Sequence, residues 1–275
     1  MLRHQSILAG VLLVVLAGWV HAEEVLVVEQ DYNLVRADKE GMAGTDGRQK
    51  MVVAEDWIRI DEFTGTSKQP VETYLIDLEK KLIVNLDNEK LTKTVETFDQ
   101  RRERLEQRKK KIKADLDNLP EGPQKKKTEQ LHRALLDDER SYKLISDKNA
   151  EKKKIADVEC IPMKIVDQNT EGYEPMTAYL HPDIELPHNT ADMLYLLRLV
   201  GGHMRDFLNK NKSQCRRLPM EMTLDLPLGG SLHVQVIKVE KVKRDKLDPN
   251  LMSIPEGYKE KVVAPPKADT NAKPD

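Results

Sequence analysis

Three apolar runs in "VETYLIDLEKKLIVNLDNEKLTKTVET", residues 71–97, stand so close together that no helix fits between them. Chains that reverse within four or five residues pair antiparallel, so this segment predicts a meander. Upstream, "EEVLVVEQDYNLVRA" and "QKMVVAEDWIRIDEF" read as further strands, the second running through Trp57, Ile58 and Ile60. Between them Thr45, Asp46 and Gly47 supply turn chemistry. One face of these strands is apolar, while Glu72, Asp77, Lys81 and Asn85 mark the other as the solvent side.

Aromatic residues make up only 4% of the chain and charged residues 33%, so the core has to be aliphatic and the charge has to sit elsewhere. At Phe98 the period changes. Phe98, Leu105, Ile112 and Leu119 recur every seven residues with Leu116 beside them, and Leu131, Leu135, Tyr142 and Ile145 form a similar stripe. "NLPEGPQ" separates the halves, which predicts a charged helical hairpin inserted over about residues 97–154. Arg101, Arg108 and Asp115 at the other core positions make the stripe too thin for a strong coiled coil. The arm carries 18 Lys and Arg against 12 Asp and Glu, whereas the whole chain has a net charge of −2. Its basic clusters suit an anionic membrane surface or an envelope protein partner. An ordinary solvated helix face is the alternative.

Strands return in "KKIADVECIPMKIVDQ" and "EPMTAYLHPD", and again on both sides of Gly229 and Gly230. Between them "NTADMLYLLRLVGGHMRDFLNKN" is helical, with Asn189 or Thr190 as cap and Met193, Leu196, Leu197, Val200, Met204, Phe207 and Leu208 on its apolar side. Gly201 and Gly202 predict a kink or two short helices. Laid across a bent antiparallel sheet, this segment is either an adaptable lid over an acyl-chain pocket or plain core filling. With Trp57, Ile58 and Ile60 on the sheet, the lid residues are the candidate ligand contacts.

Residues 1–22 have a basic start, an apolar stretch and a small-x-small ending, the layout of a secretory signal, with an uncleaved anchor as the alternative. The body then covers residues 23–261, and residues 262–275 have the composition of a disordered tail. In an oxidising compartment Cys160 and Cys215 suggest one disulfide, with two separate buried thiols as the other reading. The near-balanced charge gives no support to a nucleic-acid partner. "HPDIELPH" gathers His181, Asp183, Glu185 and His188, but its spacing fits no zinc signature, and "GGSLH" continues as a strand instead of forming a nucleophile elbow. No cofactor, metal or catalytic motif stands out, so the expected class is a non-enzymatic binding protein.

The order of "DWIRID", "YLIDLEKKLIVNLDNEKLTK", "LDNLPEGPQKK", "ADVECIPMKIV" and "LDPNLMSIPEGYKE" resembles an uncharacterised family of bacterial exported proteins in the LolA/LolB lipoprotein-carrier superfamily. The resemblance implies a mainly β (α+β) fold: a curved antiparallel sheet forming an unclosed β-barrel around an apolar cavity, with a lid helix. It also implies a periplasmic or envelope location and a lipid or lipoprotein acyl chain as ligand. In such domains the closing segment clasps the sheet: Leu251 or Met252 and Ile254 enter the core, Pro255 and Gly257 shape the turn, and Tyr258 pins the end.

Overall fold

A computed structural model describes residues 24–37, 42–132, 136, 140–146, 151–185, 190–197, 199–226 and 230–261. The expected signal segment, the expected disordered tail and His188 lie outside these residues. The first six strands follow each other as an antiparallel meander: β1 (Glu24–Ala37), β2 (Met42–Val53), β3 (Trp57–Phe63), β4 (Glu72–Asp77), β5 (Leu82–Asp87) and β6 (Thr92–Thr97). The chain then leaves the sheet through α1 (Phe98–Asp117) and α2 (Pro123–Leu131). It returns as β7 (Tyr142–Ile145), β8 (Lys153–Ile155), β9 (Val158–Asp167) and β10 (Met176–Glu185). Helices α3 (Thr190–Leu196), α4 (Gly202–Lys210) and α5 (Lys212–Cys215) precede β11 (Arg217–Asp225), β12 (Ser231–Lys243) and the short β13 (Lys259–Glu260). All strands but β8 lie in one sheet in the order β13-β6-β5-β4-β3-β2-β1-β12-β11-β10-β9-β7, and β8 pairs with β9. The two ends do not meet, so the sheet is curved and unclosed, as expected.

The two tight turns of the first meander repeat one device. Asp77 Oδ1 accepts from the Lys80 N–H at 2.7 Å, and Asp87 Oδ1 accepts from the Lys90 N–H at 3.0 Å. Lys81 and Leu91 then take φ values of 54° and 50°, a type I turn followed by a left-handed residue. Residues 45–47 are a correction: they form no turn but lie within β2, where Gly47 faces Tyr32 and Asp46 faces Asn33. Glycine serves here for room, because a Cβ at 47 would stand well inside van der Waals contact of Cζ and Oη of Tyr32.

The helical insertion is also shorter than the stripe suggests. A Thr97–Gln100 capping box starts α1, with Gln100 N–H donating to Thr97 Oγ1 at 3.1 Å and Thr97 N–H to Gln100 Oε1 at 2.8 Å. However, Tyr142 and Ile145 belong to a strand on β9, not to a second long helix. Four residues can satisfy either period, and the open edge of β9 decided the matter. The lid segment does divide, into α3 and α4, with Gly201 as the N-cap of the second.

After β12 the chain crosses the outer face of the sheet as a strap. Leu247 and Leu251 pack with Trp57 against Val25, Val27, Val52 and Ala54. Arg244 pairs with Asp56 at 2.9 Å, and Arg59 Nη1 donates to the Leu251 carbonyl at 2.6 Å. An Asp248 turn, Gly257 at φ 92° and a Tyr258 hydroxyl donating to Asn88 Oδ1 at 2.5 Å bring β13 alongside β6. Ile254, expected in the core, is 36% exposed, because the strap covers the sheet with Leu247 and Leu251 and turns its later residues outward. Among the described residues no helix is long and apolar enough to cross a membrane.

Two stability tests follow from this backbone. Ala156 and Asp157, with φ of 47° and 64°, form the two-residue turn between β8 and β9. Replacing them by Asn-Gly, the residues this turn favours, should stabilise the protein by about 1 kcal/mol in urea unfolding. Gly47→Ala should destabilise it by about 1–3 kcal/mol through overpacking against Tyr32.

Candidate functional site

The concave floor is assembled row by row from the cross-strand register. Leu26, Val53, Ile58, Ile76 and Ile83 stand side by side in one row, and Val28, Met51, Ile60, Tyr74 and Asn85 in the next. A third row is polar: Gln30 faces Gln49, Gln49 faces Glu62, and Glu62 faces Glu72. All four are buried. Gln30 donates to Gln49 at 2.7 Å, and Gln49 donates to Glu62 at 2.8 Å. Glu72 accepts from Asn85 at 2.8 Å and from the Tyr74 hydroxyl at 3.0 Å.

Glu72 and Asn85 were expected to mark the solvent side and instead point inward, a correction that follows from register. Each member of the polar row sits two residues from an inward apolar neighbour, Val28, Met51, Ile60 or Tyr74, and the two-residue period carries it to the same face. That alternation was the signal available in the sequence. Residue polarity hid it.

Burial raises the Glu72 pKa, and its hydrogen bonds from Asn85 and Tyr74 only partly offset this. Burial also lifts the Tyr74 and Tyr32 phenols, helped by the charges of Glu72 and Glu62.

Above the floor lie α3 and α4. Met193, Leu196, Leu197, Val200 and Met204 are at most 4% exposed and share one core cluster with Ile58 and Ile60. Phe207 is half-buried and meets Tyr142 edge-on, with ring centroids 5.7 Å apart. Trp57 does not join them. Its side chain lies on the outer face under the strap, because it is one residue out of phase with Ile58.

The base of α1 holds this cover in place. Arg101, buried, donates from Nε to the Leu196 carbonyl at the end of α3 at 2.9 Å and from Nη1 to Glu96 at 3.1 Å. Arg104 also pairs with Glu96. One turn further on, the Tyr195 hydroxyl donates to Glu106 at 2.6 Å, while the Arg205 guanidinium lies 4.8 Å from the Tyr195 ring centroid. Sequence reasoning missed these groups. Arg101 looked like a flaw in a heptad, yet it supplies a donor to an otherwise orphaned helix-end carbonyl.

Cys160 and Cys215 are free thiols rather than a bridge. Cys160 lies buried on β9, where its Sγ is 3.3 Å from the Val158 carbonyl, and Cys215 sits on α5. Burial pushes their pKa values up to about 11 and about 12, so both stay protonated near neutral pH. Among the described residues no group of three His, Cys, Asp or Glu side chains is placed to hold a metal. His181 lies in β10 where its pairing with β11 is irregular, and its Nδ1 accepts the backbone N–H groups of Asp183 and Ile184 at 3.0 and 3.1 Å.

No protein-family model matches this sequence, and neither does any curated protein. Solved structures do. One is an uncharacterised conserved protein from Thermus thermophilus, with a TM-score of 0.41 and 7% identity over 88% of this chain and 92% of that one. Another is PNGF-II, with a TM-score of 0.34 and 11% identity over 88% of this chain and 31% of that one. A third is a LolA superfamily protein from Nitrosomonas europaea, with a TM-score of 0.30 and 7% identity over 80% and 86%. This third match is to the superfamily that the sequence resembles, and at these scores the likeness carries nothing about activity.

The raised pKa of Glu72 gives a pH test. A carboxyl whose folded pKa lies above its unfolded value contributes stability that is complete below about pH 4.3 and is lost as pH rises through the folded pKa. Glu72→Gln should therefore raise the Tm in mildly alkaline buffer and leave it nearly unchanged near pH 4. An equal shift at both pH values would count against this account.

Proposed function

We propose that this chain is a non-enzymatic exported protein that takes up an apolar chain, a lipid or the acyl group of a lipoprotein, on its concave floor. The supporting observation is the cover of that floor. It is no strand of the sheet but two short helices meeting near Gly201, and methionine and leucine side chains make its contacts. Such a cover can withdraw without breaking the hydrogen-bond ladder, and its methionines can repack around a flexible ligand.

In the described state the chain's own side chains fill the floor, so uptake means exchange. Burial of Met193, Leu196, Leu197, Val200, Met204 and Leu208 contributes roughly 9–18 kcal/mol at about 1.5–3 kcal/mol each. An acyl chain of about 15 methylenes, at ~0.8 kcal/mol per buried CH₂, contributes about 12 kcal/mol. The two occupants are of similar strength, which is the condition for loading and release.

The packed interior also favours a second reading, in which the β domain is a rigid platform and the helical hairpin docks an envelope partner. Native mass spectrometry of protein purified gently from its own cells, together with uptake of a fluorescent fatty acid, separates the two. The carrier reading expects a lipid mass that leaves on denaturation, and faster probe uptake in Leu197→Ser, where the cover is weakened. A bare chain that takes up no probe, in the parent and in Leu197→Ser alike, would sink the carrier reading and leave the platform.

A further inference from the structure

We infer that the outer half of the α1–α2 hairpin is a docking surface for an anionic lipid bilayer. The inference does not depend on what the half-barrel binds. The base of α1 belongs to the domain: Phe98 and Leu105 lie in the main core, and Arg101, Arg102 and Arg104 are paired with Glu96 and Asp99. Beyond Leu105 the surroundings change. Ile112 and Leu116 form a small separate core with Leu119 and Leu136.

Residues 108–131 carry eight Lys and Arg against four Asp and Glu. Arg108, Lys110, Lys111, Lys126 and Lys127 are exposed, and among the described residues none of them has an ion-pair partner. Five unneutralised cations on so short an arm repel one another, and the rest of the chain is net negative, so the molecule is a dipole with a positive tip.

Between the arm and the turn after β9 lies a cleft of about 740 Å³, lined by Lys113, Lys125, Lys126 and Arg140 together with the carboxylates of Asp117 and Glu129, and including Leu116 and Leu136. Cations over apolar side chains match a phospholipid headgroup above its first methylenes. Because α1 is one continuous helix, a bilayer gripping its outer half lies within a helix length of Arg101 and the end of α3.

The test is co-sedimentation of the full chain with vesicles of phosphatidylglycerol and phosphatidylcholine, compared with phosphatidylcholine alone. Each cation near an anionic surface contributes about fivefold in partition, so K110Q/K111Q/K126Q should bind the anionic vesicles about 100-fold more weakly. Exposed lysines outside the arm serve as the control, and K241Q/K243Q should bind like the parent. Raising the salt towards 1 M, where the Debye length falls to about 3 Å, should release the protein. Circular dichroism melts of both variants should match the parent. Failure to bind anionic vesicles, equal binding to neutral ones, or an equal loss in K241Q/K243Q would each overturn the inference.

Discussion

The pairing of β1 with β12 is the seam on which the rest of the structure depends. It runs through twelve residue pairs, with one irregularity at Glu29 and Gln30, and it joins the meander built before the α1–α2 hairpin to the strands built after it. Its register fixes which side chains face inward in β1, and through β2 to β5 the same choice passes across the floor. A slip of one residue would turn Leu26 and Val28 outward and bring Val25 and Val27 in. Because β1 is apolar on both sides, both faces of the sheet need cover. The helices supply it within, and the C-terminal strap supplies it outside.

The two covers are held differently. The strap is tied into the ladder through β13 and anchored by Arg59, Arg244 and Tyr258. The inner cover has no ladder contact with the floor. It rests on apolar packing and on a few directed bonds from α1, chiefly Arg101 to the Leu196 carbonyl and Glu106 to Tyr195. A buried ion pair such as Arg101–Glu96 adds little net stability once desolvation is counted, but it fixes one geometry. The chain therefore has an outer clasp tied into the ladder and an inner cover placed by a few directed bonds. Burial beneath that cover disfavours ionisation of Glu72, and the polar row keeps part of the floor from being uniformly greasy.

Much of the fold was legible in the residues. Short connections forced the meander, alternation located β3 to β6, and Gly201 with Gly202 divided the cover. The errors share a cause. Thr45 to Gly47 looked like a turn by composition, but Gly47 is small to admit the Tyr32 ring. Tyr142 and Ile145 suited a helical stripe, but β9 offered them an unpaired edge. Trp57 was grouped with Ile58 by proximity, although neighbours in a strand point to opposite faces.

Sequence alone determined the strand class, the position of the charged hairpin and the broken cover, because each rests on spacing or turn chemistry local to a few residues. Tertiary structure alone decided that Gln30, Gln49, Glu62 and Glu72 form one buried row, that Arg101 caps α3 from 95 residues away, and that Cys160 and Cys215 stay unjoined. Those outcomes depend on register and on contacts between distant segments. Side-chain identity allows such contacts without specifying them, and only the closed seam between β1 and β12 selects among them.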